Sequence, residues 1–222
     1  MKIFIVIPLF NEEKHIVTVL KNLVKYSLPV VVVDDGSTDG SVKKIGDCRL
    51  KNVEILTHKI NLGKGAAMKT GADYAFNHGA DAVIFMDSDG QHNPDDLPKF
   101  IRKLGEKKFG VIFGSRNLSF GAPLVRFLGN KFASVLVASL FRIYVSDILC
   151  GFRAITASAY EKTGWESSGY GVETEMVIRA GKANVKFCEV PVETIYINDV
   201  KGVTLLDAFG ILASVIKWKL TL

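Results

Sequence analysis

Phe85-Met86-Asp87-Ser88-Asp89-Gly90-Gln91-His92 closes an apolar run that begins at Asp81-Ala82-Val83-Ile84. The run is short and uniformly apolar, the pattern of a strand buried on both faces. After Met86 the chain turns acidic and ends in Asp89-Gly90, which is turn chemistry. In open α/β sheets, ligands sit at the carboxyl ends of strands. Two carboxylates one residue apart at such an end suit a hard divalent cation. Mg2+ takes one or two carboxylates and completes its shell with water and phosphate oxygens. An isolated Asp-x-Asp is equally a solvated acidic turn, so the neighbouring segments must decide.

Those segments repeat the pattern. Strand-like runs occur at Ile3–Ile7, Val30–Val33, Val53–Leu56, Ala82–Met86 and Val111–Phe113, with helical patterns near 12–26, 39–46, 64–77 and 95–107. Regular strand-helix alternation predicts right-handed crossovers and an α/β fold around a mostly parallel sheet. Beyond residue 115 the pattern changes. A long apolar helix is expected over 124–142, a short strand and helix over 150–163, and a helix over Glu173–Gly181. Val185–Val190 and Val192–Ile197 read as two strands, with Pro191 marking an edge or a break. The last segment, Leu205–Leu220, places Leu205, Leu206, Phe209, Leu212, Ala213, Ile216 and Leu220 on one face. Lys217-Trp218-Lys219 has the composition of a membrane-interface anchor, although a terminal helix docked on its own domain fits equally. The expected organisation is one domain over residues 1–200 and a C-terminal amphipathic helix over 201–222.

Composition narrows the classes. The chain has 222 residues, 48% hydrophobic and 23% charged, which describes a globular protein. Its net charge of +5 suits phosphate-bearing substrates or an anionic membrane surface. No basic stripe with interleaved aromatics argues for nucleic acid. Cys48, Cys150 and Cys188 form no Cys-x-x-Cys pair, which argues against zinc, and their odd number suggests a reducing compartment. Pro8 and Asn11-Glu12-Glu13 interrupt the apolar start too early for a signal sequence. No stretch reaches the roughly 18 uncharged residues of a membrane span.

Five clusters fall at predicted strand ends. Pro8-Leu9-Phe10-Asn11-Glu12 follows the first strand. Asp34-Asp35-Gly36-Ser37-Thr38 follows the second, where a carboxylate can accept from a base N–H or a ribose hydroxyl and Ser37 or Thr38 can cap a helix. Asn61-Leu62-Gly63-Lys64-Gly65-Ala66-Ala67 opens a helix, whose free N–H groups and Lys64 would attract an anion. It has neither P-loop nor dinucleotide-fingerprint spacing. The Asp87/Asp89/Gln91 set is the fourth, and Gly114-Ser115-Arg116, with Arg126 downstream, is the fifth.

In this order and spacing the clusters resemble the family 2 glycosyltransferases. The match is closer to those that charge polyprenyl phosphates, of the dolichyl-phosphate mannose synthase and dolichyl-phosphate glucosyltransferase type. The resemblance runs from about residue 3 to 197 and implies a nucleotide-sugar-binding domain of GT-A type, with helices on both faces of the sheet. It further implies that Pro8, Phe10, Asn11, Glu12, Asp34, Asp35, Lys64, Asp87 and Ser88 hold the nucleotide sugar. Asp87, Asp89 and Gln91 would face Mg2+ or Mn2+, and Arg116 and Arg126 would lie near phosphates. Asp147-Ile148-Leu149-Cys150-Gly151-Phe152-Arg153 resembles the family's element beside the acceptor, and Tyr170-Gly171-Val172-Glu173-Thr174-Glu175 the segment after it. Asp147, Glu173 and Lys201 are the acceptor-side candidates; Glu173 and Glu175 point to different helix faces, so one of them lines the site. Where the family often carries an Arg, only Lys201 is available.

The implied reaction is coherent. A nucleoside diphosphate leaves, and a divalent cation stabilises its charge. A phosphate-monoester acceptor, with a second pKa near ~6, is already a nucleophile and needs no strong base. Arginines, here Arg116, Arg126 and Arg153, bring two anions together, and Asp89 is the catalytic carboxylate beside the metal. Relatives often carry transmembrane helices after this domain, whereas this sequence ends there, so a peripheral enzyme on the cytoplasmic membrane face is expected, unless a membrane partner or self-association anchors it. Two rivals stay open: a transferase with a soluble or polysaccharide acceptor, and a non-catalytic nucleotide-sugar-binding subunit. Gln91 is the only glutamine, which removes the processive synthases with their Gln-x-x-Arg-Trp element.

Overall fold

The computed structural model describes residues 1–117, 124–195 and 205–221, with backbone alone for 124–126 and 205–209. Among these, seven strands form one sheet: β1 (Ile3–Leu9), β2 (Val30–Asp34), β3 (Val53–Thr57), β4 (Ala82–Phe85), β5 (Val111–Arg116), β6 (Arg153–Thr156) and β7 (Phe187–Val192). Their order is β3-β2-β1-β4-β6-β5-β7. The helices are α1 (Ile16–Leu23), α2 (Ser41–Cys48), α3 (Lys64–Asn77), α4 (Leu97–Gly105), α5 (Leu124–Phe141), α6 (Ala157–Thr163), α7 (Val172–Lys182) and α8 (Leu205–Thr221).

Every residue of β1, β2 and β4 is buried, as continuous Val/Ile runs require. Successive side chains alternate faces and so feed two cores. Phe4, Val6, Val31, Val33 and Phe85 pack with α3, α5, α7 and α8; Ile5, Ile7, Val30, Val32 and Ile84 pack with α1 and α4. Helices therefore cover both faces.

β6 alone runs antiparallel, between β4 and β5. Its register sets Arg153 beside both Phe85 and Phe113. An inverted strand delivers its first residues, and the Gly151-Phe152 that precede them, to the carboxyl ends of β4 and β5. This reversal brings the 147–153 segment to the Asp-x-Asp turn.

Two expectations are corrected. No break falls at Pro191: β7 runs through it, with Pro191 opposite Ser115, and ends at Val192; of the second predicted strand, Thr194 forms an isolated bridge with His92 and residues 196–197 lie outside the described residues. β7 is the sheet edge, where a missing N–H costs little. The second concerns the C-terminal helix, α8: of its apolar stripe, the side chains of Leu205, Leu206 and Phe209 lie outside the described residues and Leu212 lines the cavity. Val215 and Trp218 are buried, whereas Ile216 and Leu220 are exposed. Trp218, read as an interface anchor, packs inward so closely that a Cβ at Gly171 would lie 3.4 Å from its ring. Both α5 and α8 carry apolar residues on more than one face, so local pattern does not choose the buried side.

Candidate active site

The carboxyl ends of β1, β2, β4 and β5 open into one cavity of about 1090 Å3. Pro8, Phe10, Asn11, Glu12, Asp35, Lys64, Asp87, Ser88, Asp89, Gln91, Arg116 and Glu173 line it. Asp34, Asp147 and Arg153 do not. The side chain of Arg126 and all of Lys201 lie outside the described residues. A second cleft of about 520 Å3 sits at the opposite strand ends, and none of the candidate site residues lines it.

The loops after β1 and β2 are tied together. Asn11 adopts φ 53°, a left-handed conformation that Asn tolerates. Its amide oxygen accepts from Thr38 N at 2.8 Å, and its own N–H donates to Ser37 Oγ at 3.0 Å. Glu12 N donates to Ser41 Oγ at 3.0 Å. Asp34 turns away from the cavity and accepts from Ser37 N at 3.1 Å. Asp35 faces the cavity but is heavily engaged: it accepts from Leu62 N at 2.9 Å and Gly63 N at 2.7 Å, and lies 2.7 Å from His58 Nδ1. The pair divides its work, one carboxylate closing a turn and the other pinning the 61–63 loop.

The start of α3 is not an open anion site. Ala66 N donates to Ser168 O at 3.0 Å, and Trp165 Nε1 donates to Gly65 O at 2.9 Å. The 165–169 segment covers the helix end so tightly that a Cβ at Gly65 would sit 2.1 Å from Ser167 O. Of the N–H groups expected to attract an anion, Ala66 N is taken instead by the distant Ser168 carbonyl. Glu175 fastens that segment, accepting from Glu166 N at 3.0 Å, Ser167 N at 2.7 Å and Arg179 Nε at 2.5 Å. Burial alone would raise the Glu175 carboxyl, but the bonds from Ser167, Glu166 and Arg179 outweigh it and hold it below its ordinary 4.5. A depressed carboxyl stabilises the fold above its unfolded pKa and loses that contribution as pH falls through its native value. Glu175→Gln should therefore cost on the order of 1–3 kcal/mol at neutral pH. The variant and wild-type stabilities should converge in acid below pH 4.5 in urea titrations; parallel curves would refute this.

Lys64, at the first position of α3, reaches into the cavity. Its Nζ lies 2.7 Å from Asp87 Oδ1 and 2.7 Å from Glu173 Oε1. Burial raises the Asp87 carboxyl, but the Lys64 ammonium more than reverses this and leaves it at about 2. His92 is buried, and its ring stacks on Phe152 with centroids 5.0 Å apart. Burial lowers its pKa. Its Nδ1 accepts from Asp87 N at 3.2 Å, which assigns the proton to Nε2, 3.6 Å from Asp87 Oδ2. Asp89 Oδ1 accepts from Gln91 N at 2.9 Å, closing the turn over Gly90 at φ 77°. A Cβ at Gly151 would lie 2.4 Å from Asp87 Oδ2, so glycine there lets the inverted strand approach the carboxylate.

Arg116, at the end of β5, makes a two-pronged pair with Asp147: Nε to Oδ2 at 2.6 Å and Nη2 to Oδ1 at 2.9 Å. Asp147 is only 1% exposed and serves as the anchor that aims Arg116 at the cavity. Its loop is clamped by Asn130 of α5, which accepts from Leu149 N at 3.3 Å, and by Glu189 of β7, which accepts from Ser146 N at 2.7 Å. Asn130 was not singled out from the sequence; a lone buried amide in an apolar helix is the signal that could have found it. Arg153 is fully buried. It donates to the carbonyls of Cys150, Glu173 and Ile148 and stacks over Phe113, 5.3 Å from the ring centre. The structure therefore assigns it to the scaffold around the 147–153 segment and keeps it away from the cavity. Glu173 lines the cavity and Glu175 does not, because they lie on different sides of α7.

Hard oxygen donors at Asp87, Asp89 and Gln91 share the same wall. Among the described residues no group of three or more His, Cys, Asp or Glu is gathered around one point. The set fits a cation that takes two carboxylates and draws its remaining ligands from substrate and water, which is the habit of Mg2+ and Mn2+.

Opposite this polar end, Phe132, Ala133, Leu136 and Val137 of α5 and Ile211, Leu212 and Val215 of α8 form an apolar wall of the same cavity.

A mixed α/β sheet with loops gathered at its carboxyl ends around an Asp-x-Asp turn is a GT-A-like fold. The chain belongs to glycosyl transferase family 2, whose model matches residues 4–164. It is 32% identical over 215 residues to UDP-N-acetylglucosamine–dolichyl-phosphate N-acetylglucosaminyltransferase of Methanococcus voltae, over 87% of this chain and 86% of that protein. It is 28% identical over 205 residues to undecaprenyl-phosphate mannosyltransferase of Micrococcus luteus, over 86% and 83%. Glucosyl-3-phosphoglycerate synthase from Mycobacterium tuberculosis, solved with Mn2+, UDP-glucose and phosphoglyceric acid, shares the fold. Its TM-score is 0.73 at 19% identity, over 98% of this chain and 79% of that one.

Proposed function

We infer that the protein transfers a hexose from a UDP-sugar to a polyprenyl phosphate, with inversion and with Mg2+ or Mn2+. One observation carries the reading: the Asp-x-Asp and Arg116 end shares a single cavity with the apolar wall of α5 and α8. A phosphate on a long isoprenoid needs such a two-ended site, charge for the head and hydrocarbon for the tail. The names of the relatives point to the same acceptor class.

When bound, the divalent cation supplies Lewis-acid stabilisation to the departing diphosphate. Asp87, Asp89 and Gln91 are the residues that would hold it. The loops at 8–12 and 35–38 seat the nucleoside. Arg116, aimed by Asp147, offsets the repulsion between acceptor phosphate and diphosphate. One acceptor oxygen forms a bond to the anomeric carbon. The bond from that carbon to the diphosphate breaks, and its electron pair leaves with the diphosphate. The single displacement inverts the centre, so an α-linked donor yields a β-linked product. No proton moves, because the phosphate is a dianion near neutrality. This suits a site whose histidine, His92, has one nitrogen taken by Asp87 N and the other turned toward Asp87.

Membrane contact is peripheral in this reading. Among the described residues no helix is long and apolar enough to cross a membrane. Leu128, Phe132 and Val135 of α5 and Ile216 and Leu220 of α8 are exposed, with Lys131 and Lys217 beside them. Such a surface suits the anionic cytoplasmic leaflet.

The reading is tested by supplying polyprenyl phosphate, Mg2+ or Mn2+ and a panel of labelled UDP- and GDP-sugars, then counting label in the organic phase. Label from a UDP-sugar, lost with chelator, is the expected result. Donor consumption with label only in water-soluble product would overturn it in favour of a soluble acceptor. A companion variant, Leu136→Asp, places a charge in the apolar wall. It should raise KM for the lipid at least about tenfold and leave donor KM within about twofold. An unchanged lipid KM would remove α5 from the acceptor path.

A further inference from the structure

Lys64 is placed to do more than attract phosphate. Its Nζ is shared between Asp87 Oδ1 and Glu173 Oε1, 2.7 Å from each. The other Asp87 oxygen, Oδ2, is backed by Gly151 and His92. A cation gripped by Asp87 and Asp89 together therefore contends with Lys64 for Oδ1. Two cations in contact with one oxygen repel each other at such short range, even in a half-buried site. Glu173 offers the way out. Its carboxylate is 5% exposed, it sits in the first turn of α7, and Lys64 is its only ion-pair partner among the described residues. A buried charge must keep a partner. If Asp87 turns to a divalent cation, Lys64 stays neutralised on Glu173 and no group is stranded. Together Lys64, Asp87, Asp89 and Glu173 carry a double negative charge, which one divalent cation cancels.

We propose that Lys64 is an exchangeable counter-ion: it holds Asp87 until a divalent cation arrives with the nucleotide diphosphate, and then rests on Glu173 alone. The proposal builds on the reading of Asp87 and Asp89 as the cation-holding pair. Lys64 is thus a positioning residue that makes metal and donor bind together. Metal alone must displace an intramolecular cation, whereas metal with diphosphate brings extra ligands that favour the exchange.

The test is Mn2+ binding, measured by electron paramagnetic resonance on the full chain with and without UDP, in the wild type, K64M, E173Q and the double variant. Without UDP, K64M should bind Mn2+ about tenfold more tightly than wild type. E173Q should weaken binding about fivefold where Lys64 is present, because Lys64 then has Asp87 alone, and by much less in the K64M background. An equal or larger loss in the K64M background would overturn the exchange and leave Lys64 as a general positive field. A variant-free measurement protects against folding defects: wild-type crystals with and without Mn2+ and UDP. Lys64 should leave Asp87 and stay on Glu173 when Mn2+ is bound; Lys64 still paired with Asp87 beside bound Mn2+ would refute the proposal. If wild type binds no Mn2+ even with UDP, the cation reading itself fails and this inference falls with it.

Discussion

Asp89→Asn is expected to lower kcat for sugar transfer by ~10²–10³-fold while leaving the fold intact. The substitution is chosen over alanine for a geometric reason. Asp89 Oδ1 accepts from Gln91 N and closes the turn at Gly90. An asparagine oxygen keeps that bond, so the loss reports the missing charge and not a disordered loop. The tool is a transfer assay at saturating donor, paired with thermal unfolding, where Tm should move by no more than about 2 °C. With Asp89 a direct ligand, as proposed, raising the Mg2+ or Mn2+ concentration should recover little. A variant with kcat within about threefold of wild type would remove Asp89 from the cation site.

Arg116→Ala should have the second-largest effect, and it should appear in stability as well as in rate. Asp147 is 1% exposed, and Arg116 supplies its two side-chain partners. Deleting the arginine side chain leaves a buried carboxylate that keeps, among the described residues, the Arg116 backbone N–H, 3.1 Å away. Removing one member of a buried pair costs about 3–5 kcal/mol. The double change Arg116→Ala with Asp147→Asn removes the stranded charge and should recover much of that stability. Activity should stay down by about a hundredfold or more in both, because neither restores a cation at the cavity. Urea unfolding and transfer assays on the pair separate the roles. Activity that returns together with stability would make Arg116 a scaffold residue like Arg153.

Part of this architecture was legible before any coordinates. The all-buried strands announce themselves as unbroken Val/Ile runs, and Asp87-Ser88-Asp89 falls at the end of one. Because open sheets collect ligands at strand ends, the loops after β1, β2, β4 and β5 could be nominated together. All four contribute to the cavity. What could not be read was which partner each polar group meets. Arg153 sits in a motif segment and looks like a site residue. Its burial follows from β6 running antiparallel between β4 and β5, a topological choice that no local pattern encodes. Likewise the start of α3 has the form of an anion site, and Ser168, far along the chain, closes it. For α8, which carries apolar residues on more than one face, the buried face was decided by packing against α5 and α7, with Val215 and Trp218 inward.

The sequence by itself determined the alternation of elements, the uniformly apolar strands and the placing of short-range acidic turns at their ends. These follow from local periodicity and turn chemistry, which act over a few residues. Tertiary structure alone decided that Lys64 joins Asp87 to Glu173, that Asp147 aims Arg116, and that α5 and α8 give the cavity its apolar wall. Each of these is a contact between segments distant in the chain. Their formation depends on burial and charge pairing in the folded interior, where an unpartnered ion or an uncovered apolar face is too costly to persist.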